Sequence, residues 1–116
     1  DSRVESSVLS PGVVVRPGAV VRESVICTDC VIESGAVVER AIIDKRSHIY
    51  ENARVGWGVA DANIRLALVG KNCVVPAGYV VEPEAQIGTD VIESDYEEAV
   101  VHAGQYIQTR RPPNEI

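Results

Sequence analysis

The sequence contains no phenylalanine and no methionine, and it has a single tryptophan. Valine and isoleucine supply most of the apolar side chains, and these β-branched residues favour strands over helices. No apolar run approaches the roughly 18 residues that a membrane-spanning helix needs, so we expect no membrane partner. The net charge of −6 argues against nucleic acid as a partner. These features favour a small all-β domain.

The chain also lacks a starting methionine and a signal peptide, because it begins Asp1-Ser-Arg-Val-Glu5. We therefore expect a piece of a longer protein whose catalytic part lies elsewhere. The three cysteines, which we expect to be reduced, predict a cytoplasmic location.

An internal repeat dominates the sequence. Aliphatic residues recur in steps of five, six and six, so each turn takes 17 residues. They align in three columns, which are Val4, Val21, Val38 and Val55; Leu9, Ile26 and Ile43; and Val15, Ile32 and Ile49. Turn signatures such as Pro11-Gly12 and Pro17-Gly18 stand between them. The unit is a short strand and a turn, repeated three times per coil.

This pattern resembles the hexapeptide repeat of the left-handed parallel β-helix, a triangular prism of three parallel sheets. The handedness rests on that resemblance, since parallel crossovers are otherwise right-handed. We predict an all-β prism of about five coils over residues 1–89, with a loop insertion at 56–67. Residues 90–116 are expected to form a non-repetitive cap, in which Val100-Val101 and Tyr106-Ile107 pair as a hairpin over the open end.

The residues that often carry chemistry do not form a catalytic or metal site in this register. Cys30 should face inward and Cys27 outward, so the pair does not form half a zinc site. His48 falls on an outer face, where it would act only in a hexapeptide acyltransferase. The acidic residues that directly follow inward positions are interpreted as a solvent-exposed face of the prism. They are Glu5, Glu33, Glu39, Asp44 and Glu82.

Two surface features predict binding. Valines recur at outward positions where water-facing strands normally carry polar residues, and we expect them to dock another domain or subunit. They are Val14, Val20, Val31, Val37, Val74 and Val80. The second feature is a basic corner at Lys45 and Arg46, with Arg40 expected nearby. It predicts a site for a phosphate-bearing effector, and a solvated turn is the alternative.

Several segments resemble the C-terminal domain of the glucose-1-phosphate adenylyltransferase family. They are Ser6-Ser-Val-Leu-Ser-Pro-Gly12, Gly35-Ala-Val-Val-Glu-Arg-Ala-Ile-Ile-Asp-Lys45 and Val69-Gly-Lys-Asn-Cys-Val-Val-Pro-Ala-Gly78. The resemblance implies an assembly and allosteric arm attached to an N-terminal nucleotidyltransferase domain, in a homo-oligomer (dimer or tetramer). The parent reaction would convert ATP and glucose 1-phosphate to ADP-glucose and diphosphate with Mg²⁺, for glycogen or starch synthesis. In plant-type members, a lysine resembling Lys45 helps to bind the activator.

Three alternatives remain open at this point. The chain is also compatible with an acyltransferase domain, with the arm of another sugar-phosphate nucleotidyltransferase, and with a purely structural solenoid. An acyltransferase would need a histidine in a cleft between prisms. A structural solenoid predicts no anion binding.

Overall fold

Short strands stacked in parallel build the whole domain. The computed structural model describes residues 1–56 and 65–116 of the chain. The strands are two or three residues long and form three sheets, which are the faces of a prism. Such short strands are expected, because the repeat places a corner every five or six residues and leaves room for only a β-branched pair or triplet between corners.

Neighbouring strands in each face come from successive coils. The first face runs in the order β1 (Arg3–Glu5), β4 (Val20–Arg22), β7 (Val37–Glu39), β10 (Arg54–Val55), β13 (Val80–Val81) and β15 (Val100–Val101). The second runs β2 (Val8–Leu9), β5 (Val25–Ile26), β8 (Ala41–Ile43), β11 (Ala67–Val69), β14 (Gln86–Ile87) and β16 (Tyr106–Ile107). The third runs β3 (Val14–Val15), β6 (Val31–Ile32), β9 (His48–Ile49) and β12 (Val74–Val75).

The core consists of the three predicted columns. Val4 pairs with Val21 and Ile32 with Ile49, in parallel register one coil apart. Ile26, Ile32 and their equivalents above are fully buried. Each core side chain therefore packs on its equivalent in the next coil, and stability builds up between neighbouring coils. The predicted left-handed parallel β-helix is confirmed, although the described residues make about six turns where we expected about five.

The predicted insertion leaves the register intact. Val69 pairs with Ile43, 26 residues earlier, which is one 17-residue coil plus nine residues. The expected bounds of 56–67 need one correction, because Ala67 already belongs to β11 and pairs with Ala41. Residues 57–64 of that loop lie outside the described residues.

The hairpin predicted in the cap is wrong. Val100–Val101 pairs in parallel with β13, and Tyr106–Ile107 pairs in parallel with β14, so the coil continues on two faces beyond residue 89. On the third face a short 3-10 helix, Glu93–Asp95, stands where the next strand would be. Tyr96 then turns inward, and its hydroxyl donates to the Val74 carbonyl at 2.8 Å. The buried ring of Tyr96 thus occupies the place that a pair of aliphatic residues fills on this face in the coils below.

Asp95 ties this cap together. Its carboxylate accepts hydrogen bonds from the backbone N–H groups of Ile92 at 3.0 Å and Arg110 at 2.9 Å. Burial opposes the charge, but these donors lower the pKa of Asp95 below its ordinary value. A second 3-10 helix, Pro113–Glu115, closes the chain. Among the described residues, no helix has the length and apolar character to cross a membrane.

Candidate functional site

The basic corner, formed by Lys45, Arg46 and Lys71, lies where the second and third faces meet. Lys45 follows β8 directly after Asp44, and Lys71 occupies the same place after β11. The backbone N–H of Asn72 donates to the Lys45 carbonyl at 2.9 Å, which stacks the two turns in register. The Cα atoms of Lys45 and Lys71 are therefore about 4.8 Å apart, the spacing of neighbouring strands.

The cations of the basic corner are exposed and unpaired. Within the described parts of the chain, Lys45, Arg46 and Lys71 make no ion pair. The nearby carboxylates have other partners: Asp44 accepts from the Lys45 backbone N–H at 2.7 Å, and Asp90 accepts from the Asn72 amide at 2.7 Å. The corner thus presents positive charge on a chain whose net charge is −6.

Arg40 lies at a different corner, so its predicted place beside Lys45 is wrong. It stands before β8, at the other end of that strand, roughly 16 Å of extended chain from Lys45. Its guanidinium is engaged by Glu23 at 3.6 Å and Glu39 at 3.4 Å. The cation that does lie beside Lys45 is Lys71. The sequence indicates this neighbour only when the nine inserted residues are subtracted, because Lys71 then falls in the same column as Lys45.

The paired corner, where the first and second faces meet, is a ladder of alternating charges. Arg22 contacts Glu39 at 2.7 Å and Glu5 at 3.5 Å, and Arg40 completes the series. The side chain of Glu39 is only 12% exposed. The predicted solvated acidic face is therefore only partly correct, since these carboxylates are held by arginines of the neighbouring coils.

His48 is fixed on the third face by two contacts. Its Nε2 lies 2.5 Å from a carboxylate oxygen of Glu33, and its ring stacks on Tyr50 with 3.9 Å between centroids. Arg16 approaches the same carboxylate at 3.7 Å. The imidazole is thus oriented and half-buried, as a structural residue or a positioned base would be.

The cysteines have the orientations that the register predicted. Cys30 and Cys73 are buried, and Cys27 is half-buried. Burial raises the pKa of Cys30 and raises that of Cys73 to about 11, so both remain thiols. In residues 1–56 and 65–116, no three His, Cys, Asp or Glu side chains come together in a group able to hold a metal ion.

The predicted outward valines do face outward, but their rows are broken. Val14 is exposed and the other five are half-buried, whereas the inward-facing residues next to those five are buried. On the third face His48 separates Val31 from Val74, and on the first face Arg54 separates Val37 from Val80. Docking through these valines stays a prediction.

The most continuous apolar row on the surface is one that the repeat pattern did not reveal. It is the second-face row of Val8, Val25, Ile42 and Leu68. These residues pair in successive coils, and Val8 is 61% exposed, Val25 39% and Ile42 36%. The chain takes five residues, and not six, to pass from the first face to the second. The outward residue of the second face therefore follows the inward residue of the first face by four positions, whereas on the other faces this separation is five.

The comparison with protein-family models agrees with this architecture. The family model described as GlmU-like, C-terminal hexapeptide, matches residues 1–63, just over half of the chain. The acetyltransferase domain of PglB from Neisseria gonorrhoeae FA1090 aligns with 94% of this chain and 52% of its own, at a TM-score of 0.43 and 19% identity. A glucose-1-phosphate adenylyltransferase from Thermomicrobium roseum is 46% identical over 73 residues, which cover 55% of this chain but only 17% of that protein. The resemblance predicted from the sequence is confirmed over that stretch.

Proposed function

Because the chain belongs to the GlmU-like C-terminal hexapeptide family, we propose that it is the assembly and regulatory domain of a sugar nucleotidyltransferase of the glucose-1-phosphate adenylyltransferase type. The similarity to such an enzyme over 73 residues supports this proposal. The parent reaction and its Mg²⁺ belong to an N-terminal catalytic domain in the cytoplasm. Glycogen or starch synthesis is the corresponding pathway.

The observation that carries the regulatory part is the pair of unpaired lysines at the basic corner. Two ammonium groups on turns about 4.8 Å apart suit a phosphate ester, because neither makes an ion pair within the described residues and both can donate to its oxygens. Arg46 contributes less, since Asp29 occupies its column one coil below. The ligand class is therefore a phosphorylated sugar or a related phosphorylated metabolite.

A second wall is needed for useful affinity. Exposed lysines stay hydrated and are screened by salt, so each contact at a bare corner contributes little. We place that wall on the catalytic domain or on another subunit of a homo-oligomer. The outward apolar rows, and the second-face row above all, are the surfaces that would hold such a neighbour against the prism.

The test uses the full-length enzyme and fructose 1,6-bisphosphate, fructose 6-phosphate or 3-phosphoglycerate as effectors. Lys45→Ala and Lys71→Ala should each raise the effector concentration for half-activation about 10-fold, and leave unactivated turnover nearly unchanged. Arg40→Asn is the matched control at the paired corner, and Asn suits its positive φ of 43°. Equal activation of all variants by every effector would show that the basic corner is only a turn.

The second candidate is a hexapeptide acyltransferase, and the contact between His48 and Glu33 favours it. A carboxylate oxygen 2.5 Å from Nε2 holds the imidazole in a fixed orientation, as a positioned general base requires. Acetyl transfer from acetyl-CoA that disappears in His48→Ala, but persists in Lys45→Ala, would replace the first proposal by this one.

A further inference from the structure

Tyr106 is an exposed aromatic ring held in a defined place on the last strand of the second face. The residue is 56% exposed, although aromatic residues of this size are usually buried. Its hydroxyl end lies over Gly88, where an added Cβ would be 3.0 Å from Oη and 3.3 Å from Cε1. The absence of a side chain at Gly88 therefore lets the ring settle against the sheet.

Two shallow clefts flank this ring, one on each side of β16. One is lined by Leu66, Glu84, Gln86, Gly104, Gln105 and Tyr106. The other is lined by Asp95, Glu97, Gln105, Tyr106, Gln108 and Arg110, with Ile107. Tyr106 and Gln105 border both, so the clefts form one extended surface that the ring divides.

Uncommitted amides line this surface. In the part of the chain that the structure describes, the side chains of Gln86 and Gln108 make no hydrogen bond. The side-chain oxygen of Gln105 accepts from the His102 backbone N–H at 2.6 Å, and its side-chain N–H₂ group has no partner among the described residues. Each amide offers both donor and acceptor capacity to a ligand.

The charged groups of the clefts are already engaged. Glu84 pairs with Arg65 at 3.2 Å, and Glu97 pairs with Arg110 at 2.9 Å. The surface thus has neutral donors and acceptors around an aromatic ring, with carboxylates at its edges. Because Arg65 and Arg110 are already paired with these carboxylates, neither is available to bind an anionic ligand such as a nucleic acid or a phosphate ester.

We propose that Tyr106 and its flanking glutamines bind a neutral oligosaccharide. A sugar ring has an apolar C–H face that packs on an aromatic ring, and vicinal hydroxyls that pair with the donor and acceptor of an amide. The two clefts accommodate sugar units on either side of the one that contacts Tyr106. This site is separate from the basic corner and does not depend on the effector proposal.

The test is a titration of the ¹⁵N-labelled full 116-residue chain with maltoheptaose or cellohexaose, observed by NMR. We expect shifts of the side-chain N–H₂ signals of Gln86, Gln105 and Gln108. Tyr106→Ala should weaken binding about 3- to 10-fold, the contribution of one aromatic contact, while Tyr106→Phe keeps it. Lys45→Ala is the control at the other site and should bind normally. Retardation in native gels containing glycogen distinguishes a polymer from short free oligosaccharides as the source.

Three outcomes would overturn the proposal. The first is the absence of shifts with both oligosaccharides, together with the absence of retardation by glycogen. The second is binding that survives unchanged in Tyr106→Ala while circular dichroism shows an intact fold. The third is a dimer of the chain that Tyr106→Ala dissociates, because Tyr106 would then be a subunit contact and not a sugar platform.

Discussion

The basic corner and the paired corner stand at opposite ends of the same strand, β8, and arise from the same repeat. At the paired corner each arginine meets a glutamate from its own or a neighbouring coil, as Arg22 and Glu39 do at 2.7 Å. At the basic corner Lys45 stacks under Lys71, and the nearest carboxylates accept from backbone or amide donors. The charge that a corner presents is therefore set by its column of stacked turns and not by its local sequence.

The largest difference between the corners should appear in stability. Glu39→Ala removes the carboxylate that Arg22 and Arg40 share and should cost about 1 kcal/mol. The loss is limited because the two arginines keep their longer contacts with Glu5 and Glu23. Asp44→Asn removes a carboxylate charge at the basic corner but keeps an acceptor for the Lys45 backbone N–H, and should cost less than about 0.5 kcal/mol. Thermal unfolding followed by circular dichroism measures both. Equal melting temperatures for the two variants would show that the ladder adds nothing to stability.

A smaller effect should follow from lengthening the lysine column. Thr28 occupies the exposed position one coil below Lys45, since the Arg46 backbone N–H donates to the Thr28 carbonyl at 2.9 Å. Thr28→Lys should tighten fructose 1,6-bisphosphate binding to the full-length enzyme about 2- to 5-fold. Ser34→Lys adds the same charge at an exposed turn of the third corner and should change little. Calorimetry compares the two, and equal gains would mean that net charge, and not the column, governs binding.

The smallest effect concerns salt. Raising the ionic strength from about 0.05 M to 0.2 M shortens the screening length from about 14 to 7 Å, so effector affinity at the exposed basic corner should fall about 2- to 3-fold. The stability lost in Glu39→Ala should change less, because Glu39 is largely shielded from solvent. The two trends are read from calorimetry and thermal unfolding. A stability loss that tracks salt as steeply as the affinity would contradict the distinction between the corners.

The core was predictable because its signal is strictly periodic. Each inward aliphatic stacks on its equivalent, so Ile32 and Ile49 were placed by counting alone. The same counting crossed the insertion and placed Val69 over Ile43. Periodicity fixes the register because one misplaced residue would turn a valine or isoleucine out of the core.

The top of the prism was not predictable in this way. Val101 pairs with Val81 at a separation of 20 residues, and the intervening chain includes a 3-10 helix. Because Tyr96 fills the third face, no aliphatic marks that position. A tyrosine in a polar segment gives no sign of burial until its hydroxyl partner, the Val74 carbonyl, is known.

The surface was predicted unevenly for a related reason. Lys45 and Arg46 were placed correctly at an exposed corner, but Arg40 was assigned to the wrong corner. A sequence gives distance along the chain, whereas the neighbours of a corner residue lie one coil away. Lys71, 26 residues from Lys45, was hidden by the insertion, and the second-face row was hidden by the five-residue step.

The undisturbed register around the insertion has a consequence for how such a domain changes over time. The Gly56 backbone N–H still donates to the Val81 carbonyl, and the Ala67 backbone N–H donates to the Arg40 carbonyl. These hydrogen bonds form although this coil is nine residues longer than the standard 17-residue coil. Corners are thus sites where a gene can gain or lose codons while the stacked interior keeps its inherited pairing. The prism is thus a scaffold that keeps its fold while new binding segments are inserted at its corners, one coil at a time.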